Sequence, residues 1–132
     1  MIPTSVTNAI KSIAGQGLSI PVRDGLSTDS METPVITVSP QSMEKFTSSL
    51  VDVFHVYVSV KYEEHYADVT TDRARNNFDT LVNNFNRDNL IDNMQGSNYH
   101  VFESRIESGS VDVVNDILVH EVVLYLIMEL KS

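Results

Sequence analysis

The chain has 132 residues, 42% of them hydrophobic and 20% charged, which fits one globular domain with a buried core and excludes a wholly disordered chain. Nine Lys and Arg against eighteen Asp and Glu leave a formal charge of -9, so the surface repels phosphate and sequence-specific nucleic-acid binding is not expected. The lack of cysteine excludes thiol catalysis, disulfides and Cys-based metal sites, and is compatible with a reducing cytosol.

The N-terminal run MIPTSVTNAIKSIAGQG is interrupted by Asn8, Lys11 and Ser12 and lacks the layout of a signal peptide. The longest apolar stretch, Val122 to Met128, is far below the roughly 20 residues of a membrane-spanning helix, so a soluble protein is expected.

Val6, Ile10 and Ile13 recur at helical spacing between start signals at Pro3, Thr4 and Ser5 and stop signals at Gly15 and Gly17, which predicts a first helix. Residues 15–33 read as an irregular surface loop with a brief extended piece at Leu18 to Val22. A short strand is predicted over Pro34 to Ser39, bounded by Pro34 and Pro40, followed by a polar connection from Gln41 to Ser49. Leu50 to Tyr62 alternates as a long strand, with Leu50, Phe54, Val56, Val58, Val60 and Tyr62 on one face, interrupted only by Asp52, and Val51, Val53, His55, Tyr57, Ser59 and Lys61 on the other.

Thr70, Thr71 and Asp72 open a second helix, whose stripe of Ala74, Phe78, Leu81, Val82 and Phe85 is wide enough to face a core. Arg73, Arg75 and the asparagines 76, 77, 83 and 84 fall on its watery side, and Leu90, Ile91 and Met94 suggest a further turn before Gly96. Arg73 and Arg75 oppose the helix dipole unless an acidic group lies close: Glu63, Glu64 or Asp72 in the chain, or a neighbouring subunit. Tyr99 to Glu107 reads as a strand, Ser108 to Ser110 and Asn115–Asp116 as breaks, and Ile117 to Lys131 as a second long strand; a helix through Val113 to Leu130 is the alternative, which the β-branched content and the even-numbered apolar set disfavour.

The expected fold is therefore α+β: a mostly antiparallel sheet with two long strands, packed on one side by two helices, in the order helix-strand-strand-helix-strand-strand, as one domain over 1–132. A strand of 13 residues is over twice the usual length of about 5–6. With helices on one face, the other keeps Val51, Val53, Tyr57, Val119, Val123, Tyr125 and Ile127, which are too apolar for open water. A partner subunit is one cover, with His55, Lys61, Glu121 and Glu129 as polar rim; closure of the sheet on itself, or cover by the 15–33 loop, is the other.

Chemistry finds little footing. Glu63, Glu64, His65, Asp68 and Asp72 are the densest possible ligand group, but their spacing matches no known metal site and reads as a solvated turn with a capping Asp. His55, His100 and His120 sit singly in predicted strands; Asp112 and Asp116 lie in a turn-rich segment; and neither a GxSxG elbow nor a phosphate loop is completed. No catalytic residue, metal site or cofactor is expected.

The order of VFHVYVSVKYEE, TTDRARNNFDTLVNNFN, HVFESRIES and ILVHEVVLYLIMEL resembles the tail terminator and related head–tail joining proteins of tailed bacteriophages, over about Ile2 to Leu130. The resemblance implies a non-enzymatic ring subunit, commonly hexameric, that caps the tail tube and meets the head-side connector. It also implies a place in the tail or neck of a virion assembled in the host cytoplasm, and a lumen through which DNA passes without specific binding. On that reading the subunit interface would draw on Val51, Val53, Tyr57, Lys61, Arg73, Arg75, Glu121, Val123, Tyr125 and Ile127, chosen from the strand faces and the helix charges. Alternatives are a head completion or connector-adaptor protein, or a ligand-binding α+β barrel with a pocket lined by Phe54, Tyr57, Phe78 and Tyr125.

Overall fold

The computed structural model describes residues 2–25, 34–45, 53–65, 71–114 and 116–130, with backbone alone at 71, 72 and 114. In chain order the elements are α1 (Thr4–Ala14), β1 (Val22–Asp24), β2 (Val35–Lys45), β3 (Val53–His65), α2 (Thr71–Asn84), α3 (Arg87–Met94), β4 (Tyr99–Val114) and β5 (Ile117–Leu130). The strands form one open sheet in the order β1-β2-β3-β5-β4, antiparallel except for the parallel β1–β2 pair. The α+β class holds, with one more helix and one more strand than the sequence pattern indicated.

The helices lie on one face because alternation sends every second side chain there. Val56, Val58, Val60 and Tyr62 of β3 and Val122, Leu124, Leu126 and Met128 of β5 are buried against Val6, Ile10 and Ile13 of α1, Leu81 and Phe85 around the end of α2, and Leu90 and Met94 of α3. The third helix is longer than Leu90, Ile91 and Met94 suggested because Asn86 caps it, accepting from the Asn89 N–H at 2.9 Å. Two asparagines expected to face water act as struts: Asn77 donates to the Tyr62 hydroxyl, and Asn84 to the Gln16 carbonyl at the end of α1.

Three strand boundaries moved, each for a physical reason. The extended piece expected at Leu18 to Val22 forms a strand at Val22–Asp24, where the backbone pairs with Ile36 to Val38. β2 continues through Pro40 because the pairing register shifts between Pro40 and Ser42, so the missing N–H falls at an irregularity; Gln41 to Lys45 are strand, not connection. β4 runs through Ser108-Gly109-Ser110 to Val114 because β5 offers a ladder for the whole length; Asp116, at φ 64°, lies between paired Val114 and Ile117. The expected loop beyond Gly25, the connection at 46–49 and the first residues of the long strand, Leu50 to Asp52, lie outside the described residues.

Candidate functional site

Pairing across β3 and β5 assembles the outer face of the sheet. Tyr57 stands opposite Tyr125, Ser59 opposite Val123, Lys61 opposite Glu121, His55 opposite Ile127 and Val53 opposite Glu129. Cross-strand neighbours in such pairs lie about 5 Å apart and act as a unit. Seven of the ten interface residues drawn from the sequence, Val53, Tyr57, Lys61, Glu121, Val123, Tyr125 and Ile127, thus share one surface. Among the described residues all three helices pack on the opposite face.

At the centre of this surface the Tyr57 and Tyr125 rings sit 5.0 Å apart, His55 meets Tyr125 edge-on at 6.3 Å, and the Arg105 guanidinium covers the Tyr125 ring at 4.5 Å. Arg105 was not among the candidates from sequence. It reaches Tyr125 because the β4 register shifts between Val101 and Glu103, which places Glu103 and Arg105 on the outer face and Ser104 and Ile106 on the helix side. Such a bulge leaves no signal in plain alternation.

Stacking under Tyr57 and Arg105 leaves Tyr125 only 7% exposed, while Val53, Tyr57, Val123 and Ile127 remain half-buried. Burial pushes the Tyr125 hydroxyl above the ordinary tyrosine pKa, the neighbouring Tyr57 adds to this, and Arg105 pulls the other way. The rim is charged: Lys61 and Glu121 approach to 3.9 Å, and His55 lies 3.7 Å from Glu44.

The remaining candidates lie elsewhere. Arg73 and Arg75 are on α2, across the sheet from this face, and Arg73 finds its acidic partner within the chain, in the buried Glu64 carboxylate. Val51 lies outside the described residues. The pocket drawn from Phe54, Tyr57, Phe78 and Tyr125 does not form: Phe54 and Phe78 pack on the helix side and the two tyrosines on the outer face, so the sheet separates them.

The carboxylate-rich stretch that begins at the end of β3 is also divided by alternation. Glu63 accepts from Thr37 at 3.0 Å and lies 3.7 Å from Arg23 on the outer face, whereas Glu64 turns inward to the Tyr62 hydroxyl at 2.7 Å. Adjacent strand residues cannot converge on one ion from opposite faces. Asp68 lies outside the described residues, as does the Asp72 side chain. The outer face is thus an aromatic and apolar surface with a charged rim.

No protein-family model and no curated protein matches the chain. Among solved structures, a chain of the virion of a native gene transfer agent particle has a similar fold, with a TM-score of 0.62 and 9% sequence identity, covering 91% of this chain and 84% of that one.

Proposed function

We propose that this protein is a structural, non-enzymatic virion subunit of tail-terminator type, assembling through the outer sheet face into a ring that caps a tail tube and meets the head-side connector. The observation that carries the reading is that, among the described residues, the sheet is one-sided: three helices cover one face, while the other presents half-buried Val53, Tyr57, Val123 and Ile127 around the Tyr57–Tyr125–Arg105 stack. Apolar side chains on a long uncovered sheet gain roughly 25 cal/mol for each Å² that a partner removes from water. The fold shared with a chain of a gene transfer agent virion supports a virion role, and the net charge of -9 suits a lumen that DNA crosses without adhering.

The test is the assembly state of the full-length chain. Rings in negative-stain images and a ring-sized mass by light scattering are expected, and the double variant Val123→Lys with Ile127→Lys is expected to remain a folded monomer. A wild-type chain that stays monomeric at high concentration, or rings that survive the double substitution, would remove the outer face from this role.

A further inference from the structure

The two halves of the edge strand β4 are finished differently. Among the described residues β4 pairs with β5 alone, so its other side is a sheet edge. Proteins blunt such edges with bulges, charges and covering side chains. The first half has all three: register shifts between Val101 and Glu103 and between Ile106 and Ser108, the charges of Glu103, Arg105 and Glu107, and Arg87 donating to the Phe102 carbonyl at 3.0 Å.

The second half, Ser108 to Val114, has no register shift, one charged residue and no proline. It also carries the two most exposed large apolar side chains described, Val111 at 62% and Val113 at 48%.

One hydrogen bond shows how this edge is satisfied. The Val113 N–H donates at 2.8 Å to the carboxylate of its own neighbour Asp112. That N–H therefore points away from β5, and by strand alternation those of Val111 and Gly109 do so too. Asp112 stands in for the acceptor that a further strand would supply.

We infer that Ser108 to Val114 is a β-augmentation site for an extended segment of a different protein in which apolar residues alternate with Lys or Arg. The incoming carbonyls take the N–H groups of Gly109, Val111 and Val113, its apolar side chains cover Val111 and Val113, and Asp112, released from its own backbone, pairs with a cation. Charge selects this occupant: from Ile106 to Ile117 the chain has three carboxylates, Glu107, Asp112 and Asp116, and no cation. Beside the edge, an open depression of about 450 Å³ gathers Glu63, Asp112 and Glu121 with Lys61 as its one cation. A second copy fits poorly, because every strand carries at most one Lys or Arg and the whole chain has a charge of -9. The edge Ser108 to Val114 lies outside the ring contact proposed above and does not depend on it, although the depression beside the edge shares Lys61 and Glu121 with that contact.

The test uses the full-length chain and two synthetic ten-residue peptides, one alternating valine with lysine and one alternating valine with glutamate, followed by amide NMR. The lysine peptide is expected to shift and protect the amides of Gly109, Val111 and Val113, with at least tenfold higher affinity than the glutamate peptide. Asp112→Asn, which keeps an acceptor but loses the charge, is expected to reduce that affinity about fivefold or more, and Asp92→Asn, the same change at an exposed position on α3, to change it less than twofold. Shifts spread over the acidic surface, equal losses in both variants, or protection of Ser108 to Val114 that grows with protein concentration in the absence of peptide would overturn the proposal, the last outcome giving the edge to a second copy. Ring formation by wild-type protein is scored separately, so failure here and failure of the ring reading remain distinguishable.

Discussion

The Arg73 guanidinium, on the first turn of α2, pairs with the Glu64 carboxylate at the end of β3, joining an exposed cation to a carboxylate that is 1% exposed. The Tyr62 hydroxyl donates to the same carboxylate at 2.7 Å and accepts from Asn77 at 3.2 Å, so the start of α2 is fastened to the sheet by a polar chain. Glu64 is acceptable inside because each partner supplies a donor; a buried charge without one is expensive.

Arg73→Ala removes the cation and leaves the carboxylate buried. Breaking a fully buried pair costs about 3–5 kcal/mol, and the exposure of half the Arg73 side chain brings the expected loss to roughly 2–3 kcal/mol. Glu64→Gln keeps a polar partner for Tyr62 and Arg73 without the buried charge, and is expected to cost less. Urea unfolding of both variants checks the order; a larger loss for Glu64→Gln would contradict it.

His120 supplies a pH dependence. Its ring lies 4.5 Å from Phe78 and 6.4 Å from Tyr62, and its Nδ1 is buried with no hydrogen-bond partner among the described residues. Burial lowers its pKa, and Asp79 on α2 opposes the shift. The unfolded chain therefore binds a proton more readily than the folded one below the ordinary histidine value of about 6.5. The His120 contribution is fully present above that pH and is lost as the pH falls through the folded-state value. Urea midpoints at pH 7.5 and 5.5 are expected to differ less in His120→Gln than in wild type, and equal differences would exclude His120 as the source.

The long strands, the helix-facing stripe of α2 and the division of β3 and β5 into two faces were legible because strict periodicity survives wherever both partners are regular. Where the ladder is irregular the pattern misleads. The register shift after Val101 rotates the next residues, so Arg105 joins Tyr125 although plain alternation groups it with Val101. Ser108-Gly109-Ser110 reads as a turn in isolation, yet full-length pairing with Val123, Val122 and Glu121 holds it as strand. Seven of the outer-face candidates fell together because they share one alternating set, whereas Arg73 was drawn from the helix charges and its partner depends on a contact between helix and sheet.

Gly25 marks a close approach at the other edge. A Cβ there would lie 1.8 Å from Ser39 Oγ and 2.8 Å from its Cβ, where the Gly25 N–H donates to the Val38 carbonyl at 2.8 Å. Gly25→Ala forces β1 away from β2, with an expected loss on the order of 1–3 kcal/mol by overpacking. Combining it with Ser39→Gly removes the obstructing side chain and is expected to restore much of the loss, as measured by thermal unfolding. No rescue would mean that the Ser39 Cα, 3.1 Å from the added Cβ, rather than the side chain, sets the cost.

Tyr125 reports on the outer face directly. Its hydroxyl titrates above the usual value of about 10, first because it is buried and then because Tyr57 lies beside it, while Arg105 over the ring favours the ionised form. A tyrosine with a raised folded-state pKa contributes stability below the unfolded value, and that contribution is lost as pH rises through the folded value. Arg105→Ala removes the one group that favours ionisation, so the Tyr125 transition is expected to move higher in tyrosinate absorbance, with Tyr125→Phe identifying which transition it is. If a partner copy covers this face, desolvation deepens and the same transition climbs further with protein concentration in wild type. In the double variant Val123→Lys with Ile127→Lys it stays at one position. A Tyr125 transition independent of concentration in wild type, at concentrations where light scattering shows rings, would place the ring contact on some other surface.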